Sequence, residues 1–406
     1  MELVIALEHR FCRTPDGAIW TSTALGRSSW DRYLGQFGEV HLVARVDDVP
    51  VRDARWARVD GDGVDLLAVP HFVGPRQYLL RRRQVRRAVG EALALHPEAA
   101  VILRVPGTIA AVAAAHLRAA RRPFAVEVVG DPQDVFAPGA LDHPLRPLLR
   151  WWSPRELRRL CREASAALYV TGAALQRRYP TRPGVRTFAA SDVETDDEAF
   201  VARPRRPDVP DGSPLRLVYV GTLEVPYKRP DLLLEAVARC AKAGLELELA
   251  IVGDGRLRGS LEERARRLGV ASRVRFVGQL SSGAAVRREL DRADLFVLPS
   301  RVEGLPRALV EAMARALPCL ATPVGGIPEL LSPEGMVASD AGALAARVAQ
   351  LARDPALRAE LSRRNLARAR EFHPRALQPI RERFYAEVIA QTQRLPRERK
   401  ALARRA

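Results

Sequence analysis

Short apolar runs alternate with longer amphipathic segments along most of the chain. In the first 190 residues the runs are Leu3–Leu7, Val40–Val46, Leu66–Val69, Val101–Val105, Phe124–Val129 and Ala167–Val170. Each is too short for a buried helix and is mostly apolar, as expected of strands covered on both faces. Between them, apolar positions recur every three or four residues and predict helices over Ser28–Phe37, Arg76–His96, Thr108–Arg121 and Leu145–Glu163. This alternation predicts a parallel, doubly wound sheet. From Asp192 to Pro214 the pattern fails: the acidic run Asp192–Glu198 gives way to Pro204, Pro207, Pro210 and Pro214 around Asp211-Gly212, the composition of a linker. The alternation then restarts, with strands at Leu215–Val220, Leu247–Val252, Val274–Val277, Leu295–Leu298 and Cys319–Ala321. Helices are predicted at Asp231–Ala243, Leu257–Leu268, Gly283–Asp291, Pro306–Ala316, Gly342–Ala352, Pro355–Glu371 and from Pro374 onward. The expected organisation is an α/β domain over residues 1–195, a linker over 196–213 and a second α/β domain over 214–379. A terminal helix over about 380–406 is expected to pack back on the first domain. No internal repeat is seen.

Composition changes this picture little, and charge changes it more. Of the 406 residues, 47% are hydrophobic and 28% charged, ordinary for a soluble globular protein, but the net charge is +17. Most of that excess is arginine, which permits attraction to anionic membranes, polyanionic substrates or nucleic acid. The segment Arg76–His96 sets Arg81, Arg82, Arg83, Arg86 and Arg87 beside Leu79, Leu80, Val85 and Val89. It reads as a solvated helix face or as a basic surface for anionic lipid or a polyanionic acceptor. Aromatic residues do not cluster among the basic ones, so nucleic acid is not an expected partner. Cys12, Cys161, Cys240 and Cys319 are scattered, which indicates neither a disulfide framework nor a metal knot. Glu2 stands where a signal peptide needs basic residues, and the apolar window Ala99–Ala115 is interrupted by Arg104, Pro106 and Gly107. The expected location is the cytoplasm, peripheral to the inner face of the membrane.

The candidate chemistry centres on Asp294–Glu311, a buried strand, a short loop and a helix. Pro306 suits a first helical position, because its missing N–H would be unpaired there. The preceding residues, Gly304 and Leu305, can then offer backbone N–H groups to a phosphate at the positive end of a helix dipole. Glu303 lies on the loop and Glu311 about a turn and a half into the helix. A ligand with an anionic middle and hydroxyls at both ends fits this spacing. A nucleotide sugar is such a ligand.

Glu303-Gly-Leu-Pro-Arg-Ala-Leu-Val-Glu311 has the Glu-x7-Glu form. Around it stand Gly221-Thr222-Leu with Lys228, Gly253-Asp254-Gly255, Phe276-Val277-Gly278 and Gly325-Gly326-Ile-Pro-Glu329. A single pair of glutamates at this spacing is common; five elements in this order, each next to a predicted strand, are specific. Over about Leu215–Leu331 and on through the final helices, the chain resembles the retaining glycosyltransferases of family 4. The resemblance implies the GT-B fold, two doubly wound Rossmann-like domains facing a central cleft. It also implies that Glu311 holds the ribose, Glu303 holds the donor sugar, and Gly304, Leu305 and Lys228 meet the diphosphate. Val277 and Leu280 would supply backbone contacts to the base. The bland readings are an Arg307 or Arg315 pair for Glu311, a helix N-terminal carboxylate for Glu303 and a solvated surface lysine for Lys228. Where many family members carry arginine this chain has Thr222, which leaves more to Lys228, backbone donors and Arg229. Gly253 and Asp254 form a turn at the cleft, with Asp254 a cap or a ligand contact; Gly325 and Gly326 permit backbone positions closed to other residues.

In the first domain the resemblance is thinner. His9, Asp16 and Gly17 follow the first predicted strand, where these enzymes place a loop over donor and acceptor, although His9 also suits a packed histidine. Asp131, in Gly130-Asp131-Pro132, stands where many family members have a histidine, and reads as an acceptor-binding or proton-accepting group or as a turn residue. The expected reaction is transfer of a hexose from a nucleotide diphosphate sugar to an acceptor hydroxyl on a glycan, a lipid-linked molecule or a small molecule, with retention. No protein nucleophile is evident, so front-face attack is expected, with Lys228, Glu303 and Asp131 as the catalytic set. No metal and no cofactor are expected, because Asp60-Gly61-Asp62 has the spelling of a metal motif but the composition of a turn. The rivals are a GT-B nucleotide-sugar epimerase or hydrolase, and a polyanion-binding protein.

Overall fold

The computed structural model describes residues 1–403 apart from Ala24, Arg55, 137–144, Glu194, 206–212 and Ser282. Its two halves each contain a largely parallel sheet covered by helices. Strands of the first are β1 (Glu2–Arg13), β2 (Ile19–Thr21), β3 (Glu39–Asp48), β4 (Ala57–Arg58), β5 (Val64–Pro70), β6 (Ala100–Val105), β7 (Ala125–Val128), β8 (Ala166–Tyr169) and β9 (Arg186–Ala189). Its helices are α1 (Asp31–Leu34), α2 (Gly74–Leu95), α3 (Thr108–Ala119), α4 (Pro132–Val135), α5 (Arg146–Glu163) and α6 (Ala174–Arg178). Strand β1 lies between β3 and β6 in parallel register, and the sheet continues through β7 and β8 to β9. The second half carries β10 (Leu215–Val220), β11 (Leu247–Val252), β12 (Val274–Gly278), β13 (Leu295–Leu298) and β14 (Cys319–Ala321), in the order β12-β11-β10-β13-β14. Its helices are α7 (Pro230–Lys242), α8 (Arg258–Arg267), α9 (Ala284–Arg292), α10 (Arg307–Ala314), α11 (Ile327–Leu330), α12 (Ala341–Arg353) and α13 (Pro355–Ala369). Helix α14 (Pro374–Ala403) ends the described chain.

Burial explains why these sheets hold. Every residue of β6, β7, β8 and β13 is buried, so these short, mostly apolar strands are covered on both faces. One face of the first sheet packs against α2, α3 and α5 through Val85, Val89, Ile109, Leu117, Leu157 and Leu160. Its other face, through Leu3, Ile5, Leu42 and Ile102, meets Leu377, Phe384, Tyr385 and Val388 of α14. Tyr385 lies 5.2 Å from Tyr33 between ring centroids, and the Arg381 guanidinium donates to the Ser191 carbonyl at 2.6 Å. Burying each large side chain of this kind contributes about 1.5–3 kcal/mol.

Several elements differ from the sequence reading. Strand β1 does not end at Leu7: it runs to Arg13, with an irregularity between Ala6 and Arg10, and turns back antiparallel into β2. Helix α10 begins at Arg307, so Pro306 is its extended N-cap and not its first helical residue. The short elements β2, β4, β9, α6 and α11 have too few residues to produce a period. Of the expected linker, residues 206–212 lie outside the described chain, and the part before them contains one 3₁₀ turn, Asp197–Ala199.

Candidate active site

In an open parallel sheet, ligands sit beyond the carboxyl ends of the strands where the strand order reverses. In the second sheet that point lies between β10 and β13, and two loops meet there. The loop after β10 closes in a 3₁₀ turn, Pro226–Lys228, followed by Arg229 in the left-handed region (φ 56°). The loop after β13 carries Glu303. Arg301 N–H donates to the Tyr227 carbonyl at 2.8 Å and ties the loops together. Lys228 Nζ then donates to both carboxylate oxygens of Glu303, at 2.8 and 2.9 Å. Glu303 is only 7% exposed, so this cation is its charge partner.

The glycines around this pair are there because nothing larger fits. A Cβ on Gly325 (φ 56°) would lie 1.9 Å from the Glu303 carbonyl oxygen, and Gly326 N–H donates to the Gly304 carbonyl at 2.7 Å. On the other side, a Cβ on Gly253 (φ 135°) would meet the Gly221 carbonyl oxygen at 1.9 Å. Leu223 N–H donates to the Asp254 carbonyl at 2.9 Å, so the two turns interlock. Among the described residues, the N–H groups of Gly304 and Leu305 make no hydrogen bond. Both stand just before α10 and add to the positive end of its dipole. Further along α10, Glu311 is largely buried and accepts from Arg307 Nε at 2.8 Å, the i,i+4 pair foreseen as its bland reading.

Several other residues have structural employment. Asp254 is exposed, and its carboxylate accepts from Gly255 N–H at 2.8 Å and Arg258 at 3.1 Å. These bonds, the backbone one foremost, hold it below the usual carboxylate range. Thr222 Oγ1 accepts from Glu224 N–H at 3.1 Å. The Arg229 side chain is turned to Asp231, at 3.0 and 3.1 Å, and not to the Lys228–Glu303 pair. Val277 and Leu280 are half-buried against the domain core.

The first domain meets this site directly. Asp131 is buried and accepts from Gln133 N–H at 2.9 Å, from the Tyr179 hydroxyl and from the Arg178 guanidinium. Burial and the bond to Asp131 push the Tyr179 hydroxyl well up from its ordinary pKa. Asp131, Thr171, Arg177 and Arg178 face Glu303 and Gly326 across a cleft with about 560 Å³ of open space. A Cβ on Gly304 would come within 3.4 Å of the Val129 carbonyl. Glu329, from the second domain, accepts the N–H groups of Gly172, Ala173 and Ala174 at 2.5, 3.1 and 2.6 Å.

The other first-domain candidates are not among the residues that line this cleft. His9 lies in the irregular part of β1 instead of a loop, 4.4 Å from the Phe11 ring, with Nε2 3.1 Å from Thr21 Oγ1. Burial first, then the charges of Arg45, Arg10 and Arg104, lower its pKa to about 4, so it is a neutral packed histidine. Asp16 and Gly17 (φ 83°) make the β1–β2 turn, where Asp16 accepts from Thr14 and Ala18. Gly17 borders a depression shared with Asp48 and Pro50.

Two features were not anticipated. Arg177 and Arg178 follow a strand end, and a basic pair there was the available signal. Arg104 was read only as a break in an apolar window. On a buried strand a charge needs a partner, and Arg104 has Glu127 at 2.9 Å and Asp192 at 3.2 Å, with the Tyr33 hydroxyl donating to Glu127.

Comparisons with known proteins bear on the fold and on the second domain. Residues 214–354 match the family described as glycosyl transferases group 1. Protein CapJ of Staphylococcus aureus is 25% identical over 308 residues, 75% of each chain. Sucrose-phosphate synthase from Thermosynechococcus elongatus superposes with a TM-score of 0.69 at 18% identity, over 96% of this chain and 99% of that one. HepE of Anabaena in complex with UDP-glucose superposes with a TM-score of 0.65 at 16% identity, over 96% of this chain and 99% of its own. The fold is GT-B, and together with the match across the second domain it supports a GT-B glycosyltransferase.

Proposed function

We propose that the protein transfers a sugar from a nucleotide diphosphate sugar to an acceptor hydroxyl, with retention at the anomeric carbon and without a metal ion. The observation that carries this is the pair of N–H groups at Gly304 and Leu305, without a hydrogen-bond partner among the described residues and set between the Lys228–Glu303 pair and Glu311. Backbone donors, a cation and two carboxylates at this spacing suit a diphosphate with a sugar at one end and a ribose at the other. HepE, of the same fold, binds UDP-glucose.

Glu311 holds the ribose hydroxyls in exchange for Arg307, and Glu303 holds hydroxyls of the donor sugar. As the glycosidic bond breaks, negative charge grows on the leaving phosphate, and Lys228 with the Gly304 and Leu305 amides stabilises it there. The departing phosphate oxygen takes the proton of the acceptor hydroxyl, which attacks from the same face; no side chain acts as nucleophile. Asp131, paired with Arg178, orients the acceptor from the other wall. Asp254, Gly253, Thr222, Val277 and Leu280 shape the donor pocket through backbone.

The acceptor we favour is lipid-linked, in glycan biosynthesis at the inner face of the membrane. Leu80 is 86% exposed beside Arg81, Arg82 and Arg83 on α2, and Trp151 and Trp152 are exposed at the start of α5. Exposed tryptophan and leucine among arginines suit an anionic bilayer surface. No helix among the described residues is long and apolar enough to cross a membrane.

The test is a thermal-shift screen over UDP-, GDP-, dTDP- and ADP-sugars on the wild type and on Glu311→Ala. One nucleotide class should raise Tm in the wild type alone. Equal responses, or none, would overturn the site. NMR of the product with and without acceptor then separates transfer from epimerisation or hydrolysis, and the anomeric coupling reports retention. Activity surviving EDTA supports the metal-free mechanism; Mn²⁺-dependent recovery from an EDTA block refutes it.

A further inference from the structure

At the opposite edge of the first sheet, four elements bring histidines and carboxylates together. Glu2 opens β1, Glu39 opens β3 beside it, His41 follows two residues later and His96 caps the end of α2. Because β1 and β3 run parallel from these residues toward the cleft, the cluster lies a full strand length from the candidate active site. The ligand-capable atoms of Glu2, His41 and His96 all lie within 4.8 Å of one another.

His41 is the informative member. It is 5% exposed, and its Nε2 has no hydrogen-bond partner. A buried ring nitrogen left unpaired is costly and uncommon in a folded protein. Its other nitrogen, Nδ1, is fixed at 2.5 Å from Asp65 Oδ1 on β5. That leaves Nε2 aimed at Glu2 Oε2, 3.7 Å away, and Glu39 Oε2, 3.8 Å away. Both distances are too long for hydrogen bonds. They are close to the roughly 3.3 Å between ligand atoms of a tetrahedral zinc ion with bonds of about 2.0–2.1 Å. His96 Nδ1 stands 2.8 Å from the same Glu2 oxygen, and its ring stacks on His41 with centroids 3.6 Å apart.

We propose that this cluster is a structural site for a divalent transition metal, zinc by ligand type, held by His41 Nε2, His96 Nδ1, Glu2 and Glu39. Imidazole nitrogen with carboxylate oxygen is a zinc-suited donor set. Asp65 behind His41 is the carboxylate that usually fixes the tautomer and orientation of a ligating histidine. Among the described residues, the close partners of the three carboxylates are the two histidines, with the N-terminal ammonium near Glu2 and no arginine or lysine beside them. A dication would answer both the charge and the orphaned nitrogen. The ion would pin the starts of β1 and β3 to the end of α2, closing three chain segments at one point, and it takes no part in sugar transfer.

The test uses the full chain without a histidine tag, stripped with EDTA and dialysed against micromolar Zn²⁺. Bound metal is measured by mass spectrometry and Tm by calorimetry, with Co²⁺ as a spectroscopic substitute. About one equivalent of zinc, a raised Tm and Co²⁺ absorption bands of tetrahedral intensity are expected. Affinity should fall at least tenfold in His96→Asn and Glu2→Gln, which are partly exposed and keep the fold. Asp65→Asn should weaken it about 10–100-fold as an orienting group. Substoichiometric zinc in the folded wild type, or uptake unchanged in His96→Asn and Glu2→Gln, would overturn the site. Nucleotide-induced shifts in Tm should be the same with and without zinc, so this proposal and that of the sugar-transfer site fail separately.

Discussion

Lys228 Nζ bridges both oxygens of the Glu303 carboxylate, one group from each of the two loops that meet at the strand-order reversal of the second sheet. The pair is mostly shielded from water, so removing the cation leaves a buried charge uncompensated. Lys228→Ala should therefore destabilise the protein by about 2–4 kcal/mol. Lys228→Ala/Glu303→Gln should recover part of that loss, because the charge goes with its partner. Transfer should fall about 10²–10³-fold in Lys228→Ala, the scale of losing one group that stabilises charge in a transition state. Urea unfolding and kcat/KM on the wild type and both variants separate the two effects. If the double variant regained activity along with stability, Lys228 would be a structural counter-ion only.

Gly325 positions Glu303 without contributing any side chain to the site. With φ at 56° and an added Cβ falling 1.9 Å from the Glu303 carbonyl oxygen, alanine there meets both strain and a clash against backbone. Gly184 is the natural control: its φ is +84°, with no atom within 4 Å of an added Cβ. Gly184→Ala should cost only the left-handed strain, about 1–2 kcal/mol. Gly325→Ala should cost at least about 3 kcal/mol and reduce transfer further than its stability loss explains. Chemical denaturation checks the first statement, and activity well below Tm checks the second. Equal effects at the two glycines would mean that the Gly325–Glu303 approach relaxes freely.

Much of the second domain was legible in the sequence because its information is local. Each strand there is a short apolar run, and Gly253, Glu303, Glu311 and Gly325 sit at fixed offsets from strand ends. The first domain resisted for a physical reason. His9 continues β1 through a bulge that has no apolar alternation, and Asp131 is defined by Tyr179 and Arg178, almost fifty residues later. Pairings of that kind are set by tertiary packing, which periodicity does not encode. Arg104 is the instructive case. Its polarity spoiled an apolar window, whereas in the fold that polarity closes a network with Glu127 and Asp192.

Glu329 joins the domains by accepting three successive N–H groups, from Gly172 to Ala174. Each bond to a carboxylate is worth about 1.5–3 kcal/mol when shielded and less where water competes. Glu329→Ala should loosen the cleft without unfolding either domain. Amide exchange at Gly172, Ala173 and Ala174 should accelerate at least tenfold, and the radius of gyration in solution should rise. KM should increase more than kcat falls, since both walls must close on the substrates. Unchanged exchange at those amides would show that the first-domain turn holds itself.

His9 gives the fold a pH dependence with a definite sign. Its pKa is about 4 in the folded protein against 6.5 as the ordinary value, chiefly because burial disfavours the charged ring. Between those values the unfolded chain binds a proton that the folded chain refuses, so stability falls as pH falls from about 6.5 toward 4. Below pH 4 both states are protonated and the loss levels off. Linkage gives a contribution of about 2 kcal/mol lost by pH 5 relative to pH 7.5. His9→Gln has no such proton to bind, and glutamine keeps a hydrogen-bonding group within reach of Thr21. Urea unfolding at pH 7.5 and pH 5 should show a smaller drop in the variant than in the wild type, by about that amount. A drop of the same size in both proteins would mean that the acid sensitivity arises at other groups and that His9 titrates alike in the folded and unfolded chain.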